Sequence, residues 1–338
     1  SFDFHRYEDT IKLADDPDYN QASFEGMLEI KGDSDHTKLI EMLDALNDES
    51  QKIDDVLDTY FDTENLVYWL AFQILTGNCD TQNRNCYLYS PLNSNTWYIL
   101  DWDNDGMLRK LELSLAGFSD YASWERGVSN YWGNVLFNRA LRSESLRSEL
   151  DRAVKDLRSY MTEARLTKMI EHYREVTESL VFAAPDVDNL PVTKDQYEQI
   201  AAAIPSEIEE NYKSFRESYK KPMPFYIGVP QIDNGKLRIN WDASYDFKAR
   251  DIRYTVELAR DYAISDVLFK AEDVLLPEVT CDAPDAGQYF VRVRATNSDG
   301  YTQDAFDYYV TDDGKHYGMK CFYVQDGGKV VEDTYEEG

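Results

Sequence analysis

The segment GNCDTQNRNCYLYSPLNSNTWYILDWDNDG, residues 77–106, contains two short apolar runs that are rich in aromatic side chains. CYLYS at residues 86–90 and WYILD at residues 97–101 each have the length and composition of a strand. The polar residues 91–96 between them include Pro, Asn and Ser, which favour turns. This arrangement predicts a β-hairpin with a six-residue loop.

Carboxylate and amide side chains flank both predicted strands. Pairing Ser90 with Trp97 in an antiparallel ladder places Asn85 opposite Trp102. Polar residues before the first strand and after the second strand should therefore meet at the open end of the hairpin. The residues concerned are Asp80, Asn85, Asp101, Asp103 and Asp105.

A helix is predicted immediately before this segment, at residues 63–76. Asp62 is a suitable N-cap, and Gly77 lies where a C′ residue would end the helix. Its apolar residues leave almost no polar face, so we expect the helix to be buried on most sides. They are Leu66, Val67, Trp69, Leu70, Phe72, Ile74 and Leu75.

Length and charge limit the possible functions of the chain. Its 338 residues suffice for a full core and predict two domains. The net charge of −29, from 64 acidic and 35 basic residues, argues against a nucleic-acid or anionic-membrane partner, because both would be repelled. Divalent cations or a basic polypeptide remain compatible with it. An apolar content of 43% and an aromatic content of 14% exclude general disorder.

Membrane, secretion and cysteine signals are weak in this sequence. No apolar run approaches the length of about eighteen residues that a membrane span needs. No signal peptide is apparent, and a start at Ser1 is what we expect of a trimmed or processed chain.

The four cysteines are too scattered for a disulfide framework and lack zinc-ligand spacing, so we interpret them as small buried residues. They are Cys79, Cys86, Cys281 and Cys321, and pairing of the first two or of the last two stays open.

The rest of the first domain is predicted to be mainly helical. Phe24–Lys31 is expected to form a short strand or a turn. Helices are predicted from apolar periodicity at residues 36–46, 51–60, 133–142, 144–161 and 163–180. A last helical pair should follow, broken at Pro205 and ending before Pro222.

From Phe225 the pattern changes to short alternating strands separated by turn residues. The predicted strands are FYIGV, KLRINWD, IRYTVELA, VLFKA, GQYFVRVRAT and DAFDYYV. Six or seven strands in about ninety residues predict an all-β sandwich with Trp241 in its core. The run YFVRVRATNSDG at residues 289–300 resembles the penultimate strand of fibronectin type III domains, with Tyr289 in the tyrosine-corner position.

The predicted fold class is therefore multidomain, with a mostly helical α+β part followed by an all-β sandwich. The predicted domains are residues 1–222, a β-sandwich at residues 223–311 and a tail at residues 312–338. The tail contains a hairpin-like run, CFYVQDGGKVVED, with Asp326 in its turn.

The polar residues of the first hairpin have the spacing of a phosphotransferase site. Kinase-type sites use one carboxylate to orient the attacking hydroxyl, and an Asn and an Asp to hold metal ions on the nucleotide phosphates. In protein kinases four residues separate the first Asp from the Asn, as they separate Asp80 from Asn85. The metal-binding Asp then follows a short hairpin, as Asp103 does here.

GNCDTQNRNCYLY and WYILDWDND together resemble the spore-coat protein H (CotH) kinase family of atypical secreted kinases. The resemblance covers roughly residues 1–220. It implies that Asp80 is the catalytic acid/base, that Asn85 and Asp103 are Mg²⁺ ligands, and that Asp105 occupies the motif's second polar position. The implied reaction is transfer of the ATP γ-phosphate to a Ser or Thr of a protein substrate.

The resemblance also implies a kinase-like carboxy-terminal lobe. The amino-terminal nucleotide lobe of such kinases, with its lysine and strand-rich sheet, has no counterpart in this sequence. Together with the fibronectin-like module, the resemblance implies an extracytoplasmic setting, either secreted or at the cell surface. We expect the chain to be a monomer.

Two alternatives stay open at this stage. DWDNDGMLRKLE, Asp101 to Glu112, satisfies the EF-hand pattern and could bind Ca²⁺, although a strand precedes it where an EF-hand has a helix. The other alternative is a non-catalytic surface binding or scaffold protein, in which Asp80 caps a turn, Asn85 satisfies backbone groups at the strand entry and Asp103 pairs with Arg84 across the ladder. Ca²⁺ binding without nucleotide would favour the loop, whereas Mg²⁺ binding only with nucleotide would favour the kinase.

Overall fold

The computed structural model describes residues 2–117, 121–312 and 314–333. The chain is an α+β protein and divides into two compact units. The first unit comprises residues 1–120 and 126–215, and the second comprises residues 121–125 and 216–338.

The first unit is mainly helical, because most of its segments place apolar residues on one helical face. The helices are α1 (Gln21–Met27), α2 (Thr37–Asn47), α3 (Ile53–Tyr60), α4 (Thr63–Thr76), α5 (Lys110–Leu115), α6 (Val135–Arg142), α7 (Glu144–Tyr160), α8 (Glu163–Val181) and α9 (Lys194–Ser218).

Helix α4 has the bounds and caps that the sequence predicts. The Asp62 side chain accepts a 2.8 Å hydrogen bond from the backbone N–H of Asn65. Gly77 ends the helix in the left-handed conformation, with φ of 64°. Nine of the fourteen residues are buried, and the helix packs against α7. The prediction of a helix buried on most sides is confirmed.

The hairpin consists of β1 (Cys86–Tyr89) and β2 (Tyr98–Asp101). Its ladder pairs Cys86 with Asp101 and Tyr89 with Tyr98, which is the predicted register. Each strand is one residue shorter than predicted at the loop end. The difference arises because Trp97 forms a parallel bridge with Phe61 rather than pairing with Ser90.

Helix α4 also positions β2 directly. The Asn65 side chain accepts a 2.8 Å hydrogen bond from the backbone N–H of Ile99 and donates a 3.1 Å hydrogen bond to its carbonyl oxygen. Ile99 is buried beneath it. The strand that leads to Asp103 is therefore fixed to the most buried helix of the unit.

Two secondary-structure predictions for the first unit are wrong. Phe24–Lys31 is not a strand, because Asn20 caps α1 and the ring of Phe24 stacks on His36 at 4.2 Å. The predicted helical pair is one continuous helix, α9, with Pro205 inside it. Ala201 and Ile208 are buried on either side of the proline, and we attribute the continuity of the helix to this packing.

The second unit contains antiparallel sheets. One sheet has the order β13-β12-β8-β5-β6, with β9 pairing to β8, a second has the order β3-β4-β7, and a third pairs β10 with β11. The strands are β3 (Gln231–Asp233), β4 (Lys236–Asn240), β5 (Ile252–Ala259), β6 (Val267–Val274), β7 (Glu278–Asp282), β8 (Gly287–Asn297), β9 (Thr302–Asp304), β10 (Tyr308–Thr311), β11 (Gly314–Tyr317), β12 (Met319–Val324) and β13 (Val330–Glu332).

The core of this unit contains Trp241, as predicted. The Tyr289 hydroxyl donates a 2.9 Å hydrogen bond to the carbonyl oxygen of Asp285, four residues upstream, as in a tyrosine corner.

Several predicted strands of this unit differ in the structure. FYIGV is not a strand and makes only a bridge from Ile227 to Trp241. DAFDYYV is divided between β9 and β10, and β3, β7 and β11 were not predicted. Each of the missed strands has five residues or fewer, which leaves a weak periodic signal.

The predicted tail hairpin is present as β12 and β13, whose ladder joins Val324 to Val330. Strand β12 also pairs along its whole length with β8, so this part of the tail belongs to the main sheet. Residues 334–338 of the predicted tail lie outside the described residues.

None of the helices in the described ranges is long and apolar enough to cross a membrane. All four cysteines are free thiols, and Cys281 and Cys321 are buried.

Candidate functional site

The structure brings Asp80 and Asn85 into direct contact. The Asn85 Nδ2 atom donates a 2.8 Å hydrogen bond to Asp80 Oδ2. Asn85 has a φ of 58°, a left-handed conformation that Asn tolerates better than most residues do. The Asp80 side chain is 36% exposed, so its carboxylate can be reached from solvent.

Arg84 occupies the other oxygen of the Asp80 carboxylate. Its Nε donates a 2.7 Å hydrogen bond to Asp80 Oδ1, and its terminal nitrogen contacts the same atom. The guanidinium is mostly exposed, so solvent screens this ion pair. The scaffold alternative paired Arg84 with Asp103, but the structure pairs it with Asp80.

Side chains from residues 130–134 fix the loop that carries Asp80. The Tyr131 hydroxyl donates a 3.1 Å hydrogen bond to the carbonyl oxygen of Asn78 and lies 3.0 Å from the Thr81 hydroxyl. The Asn134 amide donates to the carbonyl oxygen of Gln82 at 2.8 Å. Burial raises the pKa of Tyr131, so its hydroxyl stays protonated and can donate.

The turn after β2 lies against the same loop. Asp103 has a φ of 53° and precedes a 3₁₀ turn at Asn104–Gly106. A methyl group added at Gly106 would lie 2.7 Å from Asn78 Oδ1 and 3.1 Å from the Cβ of Asp80. Only a residue without a side chain allows this approach, so Gly106 places the turn beside Asp80.

A buried amide network connects the two segments. Gln73 Nε2 donates hydrogen bonds to Asp101 Oδ1 at 2.8 Å and to Asn104 Oδ1 at 3.1 Å. Asn78 Nδ2 donates to the same Asn104 oxygen at 3.3 Å. Asn78 Oδ1 then accepts a 3.2 Å hydrogen bond from the backbone N–H of Asp80.

Two ionisable groups at this end of the hairpin have raised pKa values. Asp101 is exposed as a whole residue, but its carboxyl lies against α4, and this desolvation raises its pKa despite the hydrogen bond from Gln73. Burial raises the pKa of Cys86 to about 11, so this thiol is protonated at neutral pH.

Sequence reasoning identified the acidic residues of the site but missed its supporting amides. Asp103 and Asp105 are exposed, and neither side chain forms a hydrogen bond or ion pair with any part of the chain that the structure describes. The supporting residues that were missed are Gln73, Asn78, Tyr131 and Asn134. Gln73 could have been found, because it is an amide among the apolar residues of the second half of α4.

The site contains oxygen ligands of the kind that Mg²⁺ prefers. Asn85 Oδ1 accepts no hydrogen bond from the described residues, so it is available to bind a cation. The exposed carboxylates of Asp103 and Asp105 are available in the same way. Within residues 2–117, 121–312 and 314–333, no cluster of three or more His, Cys, Asp or Glu side chains could hold a metal ion. Mg²⁺ usually binds one or two carboxylates together with waters and substrate phosphates, so the residues present fit an ion that arrives with a nucleotide.

The contacts at residues 101–112 do not favour a calcium loop. Strand β2 lies where an EF-hand has its entering helix. Asp101 accepts a hydrogen bond from Gln73, and both Glu112 oxygens accept hydrogen bonds from Arg109, at 3.1 and 2.8 Å. The first and last ligands of such a loop are therefore engaged elsewhere.

Comparison with protein families places this chain beside a known family. The model of the family described as CotH kinase protein matches residues 2–215, which include the hairpin and the whole amide network. A search among curated proteins gives no match.

Proposed function

This chain belongs to the CotH kinase protein family, and we propose that it is a Mg²⁺-dependent protein kinase. The proposed reaction transfers the γ-phosphoryl group of ATP to a Ser or Thr hydroxyl of a protein. The observation that carries the proposal is the hydrogen bond between Asp80 and Asn85 beside the turn that bears Asp103.

Asp80 is the proposed acid/base. A carboxylate has about four lone-pair positions, so Asp80 can accept the proton of a substrate hydroxyl while Arg84 and Asn85 remain bound. The contacts from Arg84 and Asn85 fix the orientation of the carboxylate. Positioning of this kind is the main contribution that a protein makes to phosphoryl transfer.

Asn85, Asp103 and Asp105 are the proposed Mg²⁺ ligands. When bound, the ion would neutralise charge on the phosphate oxygens of ATP. The ligands would come from both sides of the open end of the hairpin, which the β1–β2 register and Gly106 hold together.

The fibronectin type III-like assignment of the second unit is a further proposal. The strand orders β3-β4-β7 and β12-β8-β5-β6 support it, as does the Tyr289 hydrogen bond to Asp285. An extracytoplasmic setting is proposed from the association of such modules with secreted and surface proteins.

The proposal is tested by Asp80→Asn and Asp103→Asn in the full-length protein, with Asp58→Asn as the control on an exposed face of α3. We expect transfer from labelled ATP to a mixed protein substrate to fall by about 100-fold or more in the first two variants. The circular dichroism spectrum and melting temperature should not change in any of the three. Wild-type rates in both site variants would overturn the proposal.

A further inference from the structure

Gln73 is a polar residue on a buried and mostly apolar part of helix α4. Its side chain is fully buried in α4, at a position that would suit Leu or Met. Its Oε1 atom has no hydrogen-bond partner among the described residues, although it is buried. A buried oxygen without a partner is destabilising, so packing alone does not explain why this residue is Gln.

The nitrogen of the same amide binds one residue before Asp103 and one residue after it. Gln73 Nε2 donates to Asp101 on one side and to Asn104 on the other. Asp103 lies between these residues in a left-handed conformation, which a non-glycine residue keeps only where its neighbours determine it.

The network continues from Asn104 to the Asp80 loop. Asn104 Oδ1 also accepts from Asn78, whose own oxygen accepts from the backbone N–H of Asp80. Gln73 therefore belongs to a chain of hydrogen bonds that runs from Asp101 through Gln73, Asn104 and Asn78 and joins the turn to the Asp80 loop.

We infer that Gln73 is a positioning residue that orients Asp103 as a metal ligand by holding the side chains on both sides of it. The inference rests on the proposed function. The amide of Gln73 donates to Asp101 and Asn104 and not to the proposed acid/base Asp80, so we expect it to act on Mg²⁺ affinity and not on the transfer step itself.

The test is Gln73→Met, which keeps the buried, unbranched shape and removes the amide. We expect the half-saturating Mg²⁺ concentration of the full-length protein to rise about tenfold or more, as is typical when an outer contact to a metal ligand is lost. The rate at saturating Mg²⁺ should stay close to that of the wild type. Binding of Mn²⁺ with a non-hydrolysable ATP analogue, followed by electron paramagnetic resonance, should weaken in parallel without any turnover.

Thr76→Val is the matched control. Thr76 is buried on the same helix, and its hydroxyl lies within hydrogen-bond distance of the Phe72 and Gln73 carbonyl oxygens of that helix. We expect its Mg²⁺ midpoint to equal that of the wild type. If Gln73→Met proves too unstable to assay, Asn104→Ala removes the same hydrogen bond from the half-buried turn and should give the same change in midpoint.

The outcomes separate the two hypotheses. A wild-type protein that neither transfers phosphate nor binds Mn²⁺ with the analogue overturns the proposed function and this inference with it. An active wild type, sensitive to Asp103→Asn but with an unchanged metal midpoint in Gln73→Met, overturns the inference alone. Gln73 has only a structural role if Gln73→Met lowers the transfer rate at every Mg²⁺ concentration and also lowers the melting temperature, while the half-saturating Mg²⁺ concentration stays unchanged.

Discussion

The Asn85 amide donates a 2.8 Å hydrogen bond to the Asp80 carboxylate, joining the first residue of the proposed site to the entry of β1. Asn85 holds this position with a φ of 58°. The side-chain contact and the backbone conformation can be separated by mutation, because Gly adopts this φ without strain and Ala does not.

Replacing Asn85 with Gly should abolish most transfer activity while leaving the melting temperature close to that of the wild type. Replacing it with Ala should abolish activity and also cost about 1–2 kcal/mol of unfolding free energy, because of the left-handed backbone. Denaturant unfolding and a transfer assay measure the two effects. Equal activity in wild type and Asn85→Gly would show that the amide has no role in the site.

Gly106 should be required for activity because of the space it leaves. In Gly106→Ala the new methyl group would lie 2.7 Å from Asn78 Oδ1, and the Asn78 amide is held in place by Asn104 and Asp80. The turn must therefore move away from Asp80, and a shift of this size can cost about tenfold or more in rate.

The control for this change is Gly26→Ala in α1, where a methyl group meets nothing within 4 Å. It should leave transfer unchanged and stabilise the helix slightly. If Gly106→Ala transfers phosphate at the rate of Gly26→Ala, the contact between the turn and the Asp80 loop does not matter for catalysis.

Gly77 should be essential for the stability of the first unit. In Gly77→Ala the methyl group would lie 2.6 Å from Asn211 Nδ2, and the φ of 64° adds backbone strain. We expect a loss of about 2–4 kcal/mol in unfolding free energy, from strain and overpacking together.

Gly117→Ala isolates the backbone part of this effect. Gly117 has a φ of 87°, but a methyl group there meets nothing within 4 Å. Denaturant unfolding should give a smaller loss for Gly117→Ala than for Gly77→Ala. Equal losses would mean that the Asn211 contact contributes nothing.

The elements that the sequence predicts well are those whose signals are local. The caps of α4 at Asp62 and Gly77 are determined by neighbouring residues, and the β1–β2 register follows from two strands and one loop. The polar end of the hairpin could therefore be located before any tertiary contact was known.

Errors occur where tertiary packing decides the conformation. Phe24 is helical because Asn20 caps the turn and His36 stacks on its ring, and neither contact is visible in an apolar pattern. Pro205 lies inside α9 between buried residues on both sides. The role of Gln73 is also tertiary, since its partners Asp101 and Asn104 are about thirty residues away in the sequence.

Asp246 should make the second unit sensitive to acid. Its side chain is 1% exposed and forms an ion pair with Arg250, and Asn297 donates a 2.9 Å hydrogen bond to it. Desolvation alone would raise the pKa of Asp246, but the hydrogen bonds from Arg250 and Asn297 outweigh it, so the pKa lies below the ordinary value of 3.8.

A carboxyl whose pKa is lowered by folding stabilises the protein above its unfolded pKa, and this contribution is lost as the pH falls through the folded value. The wild-type second unit should therefore lose stability below about pH 4. Asp246→Asn should cost about 3–5 kcal/mol at neutral pH, because it leaves Arg250 without its buried partner. The unfolding free energy of Asp246→Asn should also change less with pH than that of the wild type, because the titrating carboxyl is absent.

Peptide-resolved hydrogen exchange of residues 225–300 between pH 7 and pH 3, corrected for the intrinsic exchange rate, measures the stability of this unit alone. Asp242→Asn is the control, because Asp242 is exposed and its side chain has no hydrogen bond or ion pair in the described ranges. Its acid profile should follow that of the wild type. If Asp246→Asn keeps the wild-type profile below pH 4, another carboxyl must account for the acid sensitivity of the second unit.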